Sequence, residues 1–151
     1  MVVYGQGTLY LGNEAYVQNY VDCAAGWQMA QVTDPDFLEG PSDDGHSTEL
    51  LAGCMEDYAW ITGYMQREVD GGYVYLWGHS ATEYSHLIVY VSDDYYHWST
   101  IYDNMWLEWS EPRAIYLGDT HGIPFRYIAI CVQNDQGYPC DVFVDAVHVT
   151  A

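Results

Sequence analysis

The chain has no lysine and only three arginines, Arg67, Arg113 and Arg126, among 151 residues. Proteins that read DNA or RNA use basic patches to displace phosphate counterions, and anionic membrane surfaces attract polybasic segments. Three scattered cations build neither, so nucleic acid and charged membrane surfaces are excluded as partners. No apolar run approaches the roughly 20 residues that span a bilayer, and the opening MVVYGQGTLYL lacks a basic flank followed by an apolar stretch and a cleavage site. Catalytic signatures are missing as well: no G-x-S-x-G, no H-E-x-x-H, no phosphate-binding loop and no glycine-rich dinucleotide turn. The six histidines show no i,i+2 or i,i+4 pairing suited to zinc. A non-enzymatic protein is expected.

Acid and aromatic side chains are what the chain has in abundance. Aspartate and glutamate total 22, for a net charge of −19, so cations are the expected ionic ligands. Half the residues are hydrophobic and 17% are aromatic, enough for a packed core of one domain. Apolar positions fall in short runs rich in Val, Ile, Tyr and Trp, separated by Gly, Pro, Asp and Asn, the pattern of strands and turns. Strands are expected at 27–32, 58–65, 72–78, 86–92, 113–118, 125–132 and 140–149, with weaker ones at HWSTIY and MWLEW. Only 14–22 and 46–52 could form short helical turns. The expected fold is an all-β, antiparallel two-sheet β-sandwich or jelly roll of about eight strands. Residues 1–26 read as an N-terminal extension able to add a strand, and 27–151 as the sandwich domain.

The four cysteines follow no C-x-x-C spacing. Cys131 and Cys140 flank VQNDQGYP, whose Gly-Tyr-Pro end reads as a turn that would bring them together across a hairpin; Cys23 and Cys54 then pair by elimination. Two disulfides imply an extracellular or cell-surface location; the alternative is four buried free thiols.

Between Asp34 and Leu50, six carboxylates crowd into 17 residues of polar, Gly/Pro-rich loop. Ordering Asp34, Asp36, Asp43 and Asp44 close together costs Coulomb energy unless a cation joins them, and calcium (Ca2+) takes six to eight oxygen ligands from such loops. A solvated acidic loop is the alternative. The spacing is not that of an EF-hand. Asp145, in CDVFVDAVHV, lies among hydrophobic neighbours, and a half-buried carboxylate there needs a partner: calcium, an arginine or backbone amides.

Asp44-Gly45-His46-Ser47-Thr48 as D-G-x-x-T, LIVYVSDDYYHWSTI (87–101), PFRYIAICV (124–132) and VFVDAVHV (142–149) together resemble the galactose-binding-like superfamily. That superfamily comprises the jelly rolls of discoidin domains, coagulation-factor type C domains and many carbohydrate-binding modules. The resemblance spans residues 27–149. It implies side-chain oxygens from Asp44 and Thr48 on calcium, loop carbonyls from the 36–41 region, and closure of the site by Asp145. It also implies a core position for Trp98.

In this fold the ligand surface is expected on loops at one end of the sandwich, where sugar C–H faces stack on aromatic rings. The candidate sugar-binding side chains are Tyr95, Tyr96, Trp106 and Trp109. The function expected is that of an extracellular calcium-binding module that binds a glycan or cell-surface polymer. Two other readings are carried. The chain could be a self-assembling subunit of a filament, sheath or surface layer, its N-terminal segment pairing with a neighbour, or an accessory domain of a glycan-active enzyme.

Overall fold

The computed structural model describes residues 15–40 and 46–150. Alternating burial governs its architecture. In the strand Tyr58–Val69, Ala59, Ile61 and Met65 are fully buried, whereas Tyr58, Trp60 and Tyr64 remain partly exposed on the opposite face. This period of two is what a sheet imposes when one face meets the core. In chain order the strands are β1 (Ala15–Gly26), β2 (Ala30–Thr33), β3 (Thr48–Ala52), β4 (Tyr58–Val69), β5 (Tyr73–Ser80), β6 (Ser85–Ser92), β7 (Trp98–Leu107), β8 (Arg113–Asp119), β9 (Phe125–Gln133) and β10 (Cys140–Thr150). A single 3-10 turn, Pro35–Leu38, is the only helical element among the described residues.

All pairings are antiparallel and group into two layers of the expected sandwich. One runs β2-β3-β10-β5-β8 and the other β1-β4-β9-β6-β7. β1 joins them: Ala15 and Tyr16 pair with Val149 and His148 of β10, after which the strand follows β4 from Val17 to Gly26. Register shifts at Val17/Asn19 and Tyr20/Asp22 interrupt its pairing with β4 just after that change of layer. Between the layers lie Leu50, Leu76, Leu87, Ile128, Ile130 and Phe125, each fully buried.

Several expectations are corrected. The described strands number ten, where about eight were expected, because the weak HWSTIY and MWLEW segments fuse into β7 while β1 and β3 replace the expected helical turns. β3 buries Thr48, Leu50 and Ala52 and leaves Glu49 and Leu51 half exposed, and its pairing with β10 outweighs local propensity. Residues 15–26 of the expected extension are β1, which pairs within the sandwich; residues 1–14 lie outside the described residues. The four cysteines are free thiols. Strand alternation turns Cys131 to the outer face of β9 with Ala129 and Gln133, whereas Cys140 opens β10 in the other layer, its thiol donating to the Gln133 carbonyl at 3.1 Å. Cys23 faces Ile61 across the β1–β4 ladder, and Cys54 sits in the turn after β3.

On the outer face of the β10 layer the carboxyl groups of Glu49 and Asp141 share a hydrogen bond. That bond, then burial, then the Asp141 charge push Glu49 from its ordinary 4.5 up to about 7. A carboxyl raised in the folded state stabilises the fold while protonated, so the contribution is complete below pH 4.5 and is lost as pH rises through about 7. Glu49→Gln is therefore expected to flatten the dependence of Tm on pH across that window. Thermal melts at a series of pH values check this, and an unchanged slope contradicts it.

Candidate functional site

β9 is the middle strand of its layer, and its outward positions Ala129 and Cys131 carry short side chains. Cross-strand pairing surrounds them with large ones. Trp60 on β4 stands opposite Cys131, Tyr58 opposite Gln133, and Tyr90 on β6 opposite Ala129. Short residues flanked by tall ones make a trough, and the structure has one there of about 650 Å³, with Thr62 also on its floor. Such a volume lies inside the ~300–1,000 Å³ range of ligand clefts. Burial pushes the Cys131 thiol up to about 12, so it is a neutral, unreactive part of the lining.

The β6–β7 turn supplies the next wall. Asp94 accepts the amide hydrogens of Tyr96 and His97, each at 2.9 Å, and contacts His97 Nδ1 at 2.6 Å. The His97 amide and ring, then the Tyr96 amide, hold the Asp94 carboxyl well below the usual carboxylate range. This clamped turn carries Tyr95 at a φ of 75° and swings it back over the sheet. The Tyr95 hydroxyl donates to Asp22, a bond that pushes its pKa up to about 12, and the ring meets Trp98 edge-on at 5.7 Å. Trp98 donates its indole hydrogen to the Tyr95 carbonyl at 2.8 Å. Both rings line the trough.

One end of the trough is acidic. Glu56, Asp57 and Asp135 border it, on the β3–β4 and β9–β10 turns. Those turns are tied together by the Glu56 amide donating to the Asn134 carbonyl at 2.6 Å and the Asn134 amide to the Asp57 carbonyl at 2.9 Å. The Asp57 carboxylate accepts amide hydrogens from Gln28, Met29 and Cys54 at 2.8–2.9 Å. Burial alone would raise that carboxyl, but these donors outweigh it and hold the group below the usual range. Asp135 Oδ2 lies 2.6 Å from His86 Nδ1, whose other nitrogen lies 2.7 Å from Asp103.

The residues expected to bind sugar divide. Tyr95 lines the trough, and Tyr96, 80% exposed, stands beside it on the same turn. Trp106 belongs to a separate cluster with Tyr84 and Tyr138, at ring separations of 5.8 and 6.2 Å, at the loop end of the sandwich. Trp109 is corrected from a surface ligand to core: it is fully buried and donates to the Arg113 carbonyl at 3.0 Å. Trp98, expected in the core, is 36% exposed in the trough instead. Trp60, Tyr58 and Tyr90 were not singled out from the sequence. The available signal was that β4 is apolar on both faces, with Tyr58, Trp60 and Tyr64 alternating against Ala59, Ile61 and Met65.

Of the expected calcium ligands, Asp43 and Asp44 lie outside the described residues. Asp36 is exposed in the 3-10 turn, whereas Thr48 and Asp145 are buried. Thr48 pairs with Val144, the neighbour of Asp145, and its hydroxyl donates to the Asp34 carbonyl at 2.7 Å. Among the described residues no group of three or more His, Cys, Asp or Glu side chains is arranged to hold a metal.

No protein-family model and no curated protein matches the chain. Solved structures do. The CBM32 of AlyQ, in complex with 4,5-unsaturated mannuronic acid, superimposes with a TM-score of 0.54 at 15% identity, covering 89% of this chain and 97% of that one. A pectin binding carbohydrate binding module gives 0.52 at 13% identity, with 89% and 92% covered. A family 29 carbohydrate binding module from Piromyces equi gives 0.54 at 13%, with 91% and 90% covered. At these identities the likeness is one of fold. The chain shares the antiparallel β-sandwich fold of these carbohydrate-binding modules.

Proposed function

We propose that the chain is a non-catalytic carbohydrate-binding module whose ligand lies in the trough across β4, β9 and β6. The observation that carries this reading is the aromatic rim of Trp60, Tyr90, Tyr95 and Trp98 around a floor of short side chains. Sugar rings present apolar C–H faces that stack on such rings, while their hydroxyls meet polar groups such as Thr62 and Gln133. The three modules of like fold support the class of ligand, since each is named as a carbohydrate-binding module. An extracellular or cell-surface setting belongs to the same proposal.

Calcium at the β2–β3 corner is also part of it. Thr48 stands opposite Val144, the chain neighbour of Asp145, and its hydroxyl donates to the Asp34 carbonyl; these oxygen-bearing residues support a hard-cation reading. Bound there, calcium would offset the negative charge of the adjoining loop; the chain's own part is to hold Thr48 and Asp145 on β3 and β10 and Asp34 at the start of the 3-10 turn. A glycan array followed by titration calorimetry tests the ligand, and melts in calcium against chelator test the metal. Binding of no glycan on the array contradicts the module reading. A Tm indifferent to calcium and chelator contradicts the metal while leaving the module intact.

A further inference from the structure

Every charged side chain on the trough is an acid. Glu56, Asp57 and Asp135 gather at one end, and none of the three arginines reaches the lining. Arg126 is occupied elsewhere, its guanidinium 4.3 Å over the Tyr64 ring and its Nε donating to the Met65 carbonyl. Arg113 donates to the Glu108 carbonyl on another loop, and Arg67 to that of Glu68. The basic side chain nearest this end, His86, is shared between two carboxylates, Asp103 and Asp135. Asp57 is saturated by backbone amides, which leaves Glu56 and the Asp135 oxygen turned away from His86 as the acid groups available to a ligand. Glu56 is exposed and held at a φ of 70°, a left-handed conformation uncommon outside glycine.

Resting on the glycan reading above, we propose that the trough selects chains bearing free amino groups: it takes protonated amino sugars in preference to their N-acetylated forms and rejects uronates. A uronate carboxylate entering this end meets Glu56 and Asp135, and the one basic side chain beside them, His86, is already held between Asp103 and Asp135, so the carboxylate loses its hydration without gaining a partner of its own. A protonated sugar amine meets Glu56 and Asp135 beside the stacking surface of Tyr58 and Trp60. N-acetylation removes that charge and keeps the ring. Exposed ion pairs contribute modestly, so the preference is set at up to about fivefold for each carboxylate engaged.

Titration calorimetry on the full chain, with soluble oligomers of glucosamine, N-acetylglucosamine and glucuronate at mildly acidic pH and low salt, decides it. The expected order is glucosamine, then N-acetylglucosamine about five- to twentyfold weaker, with glucuronate weakest. Glu56→Gln should remove about fivefold of the ratio of glucosamine to N-acetylglucosamine affinity, and added salt should shrink that ratio. Equal affinity for the first two, or tighter binding of glucuronate, overturns the selectivity and leaves the glycan site standing. Binding of none of the three, together with a blank array, overturns both.

Discussion

Trp109→Ala is expected to be among the most damaging single substitutions in the protein, costing about 3–5 kcal/mol of stability and lowering Tm by roughly 6–20 °C. The indole is fully buried in the core and is clamped through its surroundings as well as its ring. Its N–H donates to the Arg113 carbonyl at 3.0 Å, and its own backbone carbonyl accepts the Ser80 amide at 2.6 Å. The ring lies so close to β5 that a side-chain carbon at Gly78 would come within 3.0 Å of it. Truncation leaves a large cavity, an unpartnered carbonyl and a loosened β7–β8 connection. Chemical or thermal denaturation measures the loss, and a cost below about 1 kcal/mol would contradict the core assignment.

Trp98→Ala is expected to behave in the opposite way, leaving the fold close to intact while glycan affinity falls by about thirtyfold or more, the usual scale for a central aromatic contact. The indole is 36% exposed, stands on the trough and is oriented by its bond to the Tyr95 carbonyl. Trp98→Phe, which keeps an aromatic face but loses that bond, should fall between wild type and alanine. Calorimetry with whichever glycan the array identifies, paired with a melt of each variant, separates the two roles. Full affinity in Trp98→Ala would move the ligand elsewhere.

These two tryptophans also mark where the sequence could and could not be read. Period-two alternation in segments such as HLIVYVS and FRYIAICV identifies strands, because one face of each must bury Leu87, Val89, Ile128 and Ile130 against the opposite layer. The all-β sandwich class followed from that pattern. Alternation does not say whether an outward aromatic faces solvent, ligand or another loop, and Trp98 and Trp109 are settled only by where the β6–β7 and β7–β8 connections fold back. The trough was hidden for the same reason. It needs Ala129 and Cys131 on β9 beside Trp60, over 65 residues earlier on β4, and that adjacency is a product of register. A helical turn was expected over 14–22 because the apolar positions there are irregular, and two register shifts interrupt the β1–β4 pairing. The cysteines misled because nearness in sequence across a turn does not set the direction of a side chain on a strand.

The most direct measurement is a chemical-shift map of the isotope-labelled protein titrated with a bound oligosaccharide. Largest perturbations are expected at Tyr58, Trp60, Tyr90, Tyr95 and Trp98, with the Trp98 indole N–H among them. If instead the perturbations gather on Tyr84, Trp106 and Tyr138 and leave the trough unmoved, the ligand sits at the loop end of the sandwich and the central claim is wrong.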